Sequence, residues 1–192
     1  MHVKPIATTR SATGVPTGRL AVWWVIASET VVFGGLLVSY IMNRLSHPEW
    51  GLQAAHTNEH IGGINTLVLL LSSYAAVKAH QAAQSGDGKT AAKRLMMCFT
   101  GGLLFAAIKF GIEWPSEIAQ GYTISAGGFW WYYYTAAGIH AAHVIAGCII
   151  MLFVAASARK GEELQRVELI GIYWHFVDLI WVFLFPLLYI AK

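Results

Sequence analysis

Charge is scarce in this chain. Of its 192 residues only 12% are Asp, Glu, Lys or Arg, against roughly 25% in a soluble globular domain. A water-soluble fold is disfavoured on that ground; the net charge of +3 is small and says little by itself, and no nucleic-acid partner is expected. Cysteine is almost missing too. Cys98 and Cys148 lie in different apolar stretches without CxxC or His–Cys spacing, which argues against a disulfide framework or thiolate metal centre and for buried apolar thiols. Neither a phosphate-cradling glycine loop, a nucleophile–base pair nor a metal-ligand cluster stands out. The chain therefore reads as a subunit without its own catalytic centre.

Apolar residues are abundant: 56% of the chain, with a mean hydropathy of +0.53. They gather into runs predicted as spanning helices near 20–42, 61–79, 95–112, 130–156 and 169–190. A helix needs about 20 such residues to cross a hydrocarbon core roughly 30 Å thick. The expected fold is all-α, a five-transmembrane-helix bundle over residues 20–192 behind a polar tail, 1–19, that lacks the look of a cleaved signal peptide. His47-Pro48, the Ser85–Gly88 stretch, Pro115 and Gly127-Gly128 are read as breaks between spans, while Pro186 lies inside the fifth. Basic residues crowd the tail and the second and fourth connections, including Arg19, Lys89, Lys93, Arg159 and Arg166. The positive-inside rule then places the amino terminus in the cytoplasm and the carboxyl terminus outside. On the fourth run, Gly138, Ala142 and Ala146 form a small-residue ridge for helix packing, and the aromatics of 129–134 read as an interfacial belt.

The few ionisable residues inside these runs are the informative ones. Glu29 sits halfway along the first, roughly 15 Å deep by helical rise, where a carboxylate is costly and faces the bundle interior. The fourth run carries His140 and His143, the fifth His175 and Asp178. Glu29, His140 and Asp178 fall at similar depth and are expected to form one hydrogen-bonded layer. For the histidines the favoured role is structural, at about 0.6 kcal/mol per interhelical bond. A bis-histidine haem between His140 or His143 and His175 is the sharper alternative, opposed by the bulk of Trp174 and Phe176. Lys109 and Glu113, one turn apart, read as a snorkelling lysine with a local ion pair. The order His56-Thr-Asn-Glu-His60 does not match His-Glu-x-x-His, so no metal is predicted there.

Several stretches together resemble subunit III of the haem-copper oxidases, the cytochrome c oxidase family. They are Ser28-Glu29 with Val32-Phe33, Asn65-Thr66 with the Leu70–Ser73 stretch, Glu113-Trp114, the Thr135–Gly147 segment, and Tyr173-Trp-His-Phe-Val-Asp178 with the apolar residues that follow. The resemblance implies a multi-pass protein of a bacterial or archaeal cell membrane, packed on the catalytic subunit I and other oxidase subunits. By that resemblance it would carry no haem, copper or other metal itself; those would belong to the partners. Glu29 would match a buried acid that reacts with a hydrophobic carbodiimide and is associated with proton uptake. His140, His143, His175, Asp178, Lys109 and Glu113 would be structural, and bound phospholipid is expected among the membrane-lipid contacts. The chain departs from the longest members in having five spans instead of seven, without the two amino-terminal helices that wall the lipid cleft. It also has Ala137 and Ala141-Ala142 where others have Gly. A helper subunit of a nitric oxide reductase is the alternative; from another class come an independent proton carrier or a small b-haem membrane protein.

Overall fold

A computed structural model describes residues 14–192. Its regular elements are helices: α1 (Thr17–Ser46), α2 (Trp50–Ala54), α3 (Glu59–Gln84), α4 (Gly88–Ile108), α5 (Trp114–Ala119), α6 (Gly128–Arg159) and α7 (Gln165–Phe185). A wide π turn, Lys109–Glu113, joins α4 to α5, and a second, Pro186–Ile190, extends α7. Five rods are long and apolar enough to cross a membrane: α1, α3, α4 through α5, α6, and α7 with its π turn. Each contains one of the five runs read from the sequence. Most of the polar tail, residues 1–13, lies outside the described residues, and α1 begins at Thr17 directly after Pro16.

Pro115 does not break the third rod. A proline in a helix lacks an N–H and clashes with the carbonyl four residues back. Here it opens α5 just after the wide turn, which gives its ring room, and the rod continues to Ala119.

The rods alternate in direction, so α1, α4 and α7 start at one end of the bundle, the amino-terminal end. Helices α3, α4, α6 and α7 pack as a four-sided core, each against two of the others, and α1 lies outside against α7 and α6. Two consecutive glycines let α4 approach both sides. A Cβ on Gly101 would come 2.6 Å from Ser72 Cβ of α3, and one on Gly102 would come 2.5 Å from Cys148 Sγ of α6. Only Phe33 and Tyr40 of α1 are buried. Its far end is tied down by Tyr40, whose hydroxyl donates to the Leu187 carbonyl at 3.0 Å.

Two packing expectations are corrected. Ala142 and Ala146 are exposed, and the small residues that α6 turns inward are Ala137, Ala141 and Gly147. Spacing marks a ridge but not the side of the helix on which the bundle lies. The supposed belt is mostly core: Phe129, Trp130, Tyr133 and Tyr134 are buried, and Trp131 is exposed.

Short polar caps set the helix starts. Asn58 accepts the His60 and Ile61 N–H groups at 3.1 Å each, and Asp87 accepts the Thr90 N–H at 3.0 Å. The Thr90 hydroxyl and then its amide hold the Asp87 carboxyl below the usual carboxylate range. Folding therefore favours the ionised form, and its contribution is full above the unfolded-state pKa and lost as pH falls through the folded one. The protection of the Thr90 amide, its exchange rate compared with the intrinsic rate at the same pH, should fall as Asp87 protonates, and Asp87→Asn should flatten that dependence.

Candidate functional site

Glu29 meets a histidine on another helix. Its Oε2 lies 3.1 Å from His143 Nε2 of α6, with 22% of each side chain exposed. His143 Nδ1 lies 2.8 Å from the Ile139 carbonyl, which can only accept, so Nδ1 carries a hydrogen. A neutral ring would then leave Nε2 as an acceptor. The contact accordingly holds one shared proton, either on the carboxyl or on a doubly protonated imidazole. Phe33 packs edge-on against the imidazole at 5.4 Å, and Tyr173 donates to the His143 carbonyl at 3.2 Å. Ser28 and Thr30, beside Glu29, give their hydroxyls to carbonyls of α1 itself.

The layer expected from Glu29, His140 and Asp178 does not form. His140 is fully buried between Phe105, edge-on at 5.5 Å, and Trp181, stacked at 5.0 Å, and neither ring nitrogen has a hydrogen-bond partner among the described residues. Asp178 is buried, and neither carboxyl oxygen has a hydrogen-bond partner among the described residues. Ser73 lies beside it but pairs with His175 Nδ1 at 2.5 Å. Depth along a helix can be counted, but direction around it advances about 100° per residue. That step turns His143, and not His140, toward α1. With His140 toward Trp181, His143 toward Glu29 and His175 toward Ser73, no two of these imidazoles face each other as a haem would require. Among the described residues no group of three or more His, Cys, Asp or Glu side chains could hold a metal ion.

A second polar group sits deeper and toward the carboxyl-terminal end. Lys109 does not snorkel, for it is 0% exposed. Its Nζ donates to Glu113 Oε1 at 2.9 Å and to the Tyr133 hydroxyl at 3.0 Å, and contacts the Tyr189 hydroxyl closely. The ammonium also lies 4.6 Å from the centre of the Tyr133 ring. Glu117 of α5 joins the group through Tyr133 at 2.8 Å and is itself buried. Glu117 lies beyond the apolar run, so hydropathy alone does not single it out. The spacing Lys109, Glu113, Glu117, four residues apart each time, was the available signal. A polar cavity of about 390 Å³ reaches this group from the carboxyl-terminal end, lined among others by His56, Glu59, His60, Glu113 and Glu117. On the other flank, an apolar groove of about 360 Å³ runs between α1 and the α6–α7 pair, with Arg166 at its lip.

Fold and site together define a multi-spanning helical membrane protein with acid–base pairs inside its bundle. More narrowly, the chain belongs to the cytochrome c oxidase subunit III family, whose model matches residues 8–192. It is 30% identical over 170 residues to a cytochrome c oxidase subunit 3 of Thermostichus vulcanus, which covers 86% of this chain and 83% of that protein. A cytochrome c oxidase subunit 3 of Synechocystis is 28% identical over 86% of this chain and 72% of its own length. A heme-copper oxidase subunit I+III of Aeropyrum pernix is 26% identical over 90% of this chain, which spans 22% of that longer protein. An oxidase subunit III acts within a complex of other oxidase subunits, in a membrane.

Proposed function

We propose that this chain is the non-redox subunit III of a proton-pumping cytochrome c oxidase, stabilising the catalytic subunit and supporting its proton uptake. The Glu29–His143 pair carries this reading. In it an acid on α1, the span least covered by the rest of the chain, and a base on α6 share one proton about halfway along the first span. Haem and copper belong to the partner subunits, and subunit I is the neighbour proposed for the open face of α1. The relative named subunit I+III supports that neighbour. The basic residues at the amino-terminal end support a cytoplasmic amino terminus in a bacterial or archaeal cell membrane. The apolar groove with Arg166 at its lip suits a phospholipid: acyl chains along Val22, Val25 and Val154, headgroup phosphate at the guanidinium.

Purification of the tagged chain in mild detergent tests the assignment. Haem a and copper in a co-purifying larger subunit are expected; haem b with non-haem iron would move the chain to a nitric oxide reductase, and a Soret band on the isolated chain would overturn the non-redox reading. Within the complex, Glu29→Gln should keep the subunits together yet abolish labelling by a hydrophobic carbodiimide. Undiminished labelling would place the reactive carboxyl elsewhere.

A further inference from the structure

The Lys109 group contains more acceptors than its hydrogens can serve. Tyr133 Oη lies 2.7 Å from Glu113 Oε1, 2.8 Å from Glu117 Oε1 and 3.0 Å from Tyr189 Oη, and Tyr189 Oη also touches Glu113 Oε1. Each phenol brings one hydrogen, and an ionised carboxylate can only accept. With both acids ionised, Tyr133 would face two carboxylate oxygens with a single hydrogen. The Tyr134 hydroxyl gives no relief, because it donates to the Tyr122 carbonyl at 2.7 Å and stands 3.4 Å from Glu117 Oε2. A proton on Glu117 resolves the count: Glu117 donates to Tyr133, Tyr133 to Glu113, and Tyr189 to Glu113. It also cancels the charge, since Lys109 neutralises only one of two buried carboxylates, and an unpaired buried charge is strongly disfavoured.

The cavity supplies the route for that proton. Glu113 is 1% exposed, its Oε2 has no hydrogen-bond partner among the described residues, and it lines the cavity together with Glu117. A polar space of this size with acceptors on its wall accommodates water. His56, Glu59, His60 and Lys192 stand at the mouth, Glu59 already paired with Lys192 at 2.8 Å. We propose that the Glu117–Tyr133–Glu113 chain is a proton-binding site that exchanges with the aqueous phase at the carboxyl-terminal end, separate from Glu29 on α1. On loading, a hydronium in the cavity gives its proton to the Glu117 carboxylate, an O–H bond forms there, and a water molecule remains; release reverses both steps. No electron moves.

The test is infrared spectroscopy of the full chain with the subunits that co-purify. At neutral pH the protonated-carboxyl C=O bands should include one that shifts in D2O and vanishes in Glu117→Gln, yet survives in Glu29→Gln. An unchanged set of bands in Glu117→Gln overturns the proposal. A second variant leaves the cluster intact: Ser116→Cys lines the cavity, while Cys98 and Cys148 are buried. A bulky water-soluble thiol reagent on Ser116→Cys should slow deuterium exchange of the same band several-fold. An unaltered rate would remove the cavity as the route.

Discussion

Lys109→Met is expected to destabilise the chain by about 3–5 kcal/mol, the usual cost of stripping one partner from a buried ion pair. Methionine fills nearly the volume of the lysine stem, so the loss reports charge and not a cavity. Without the ammonium, the Glu113 carboxylate keeps only phenol donors, 1% exposed within the bundle. The aromatic faces of Tyr133, Trp181 and Tyr189, now 4.6, 5.5 and 5.1 Å from Nζ, lose their cation as well. Thermal unfolding in detergent should show the drop, and Lys109→Met with Glu113→Gln should recover most of it, because a buried pair replaced as a whole costs little. A single variant as stable as the parent would mean that the pair is not ionised.

Gly102→Ala is expected to cost about 1–3 kcal/mol through overpacking. The added methyl would sit 2.5 Å from Cys148 Sγ and 2.7 Å from Trp174 Cη2. Trp174 cannot swing aside freely: it is fully buried and its indole N–H donates to Ser72 Oγ of α3 at 3.0 Å. Movement there would disturb α3, α4, α6 and α7 together. Cys148→Ala should restore part of the loss by withdrawing the sulfur. Gly35→Ala, with nothing within 4 Å of the new methyl, should show no loss in the same unfolding measurement.

The five rods were legible because each needs only a long apolar run, and the order of apolar residues along the chain shows that directly. What misled was local chemistry. Pro115 reads as a stop until the π turn ahead of it is seen. For the site, sequence placed Glu29 correctly on its helix but chose His140 over His143 as its neighbour. Depth follows from counting, whereas the azimuth depends on where the other helices lie. Lys109 reads as a snorkelling side chain because the tyrosines that enclose it come from 24 and 80 residues further along the chain. Glu117 sits where apolar periodicity has already ended, and the phenols beside it looked like interfacial aromatics.

The wide turn at Lys109–Glu113 fixes the phase of everything after it. Such a bulge amounts to an α-helix carrying one surplus residue. Removing that surplus, at Gly111 for instance, would rotate the remainder of the rod by about 100° relative to α4. Glu117 would then point away from Tyr133, and the cluster would come apart with every one of its side chains still present. In this chain, the buried acids and the lysine are thus bound together by chain length as much as by chemistry.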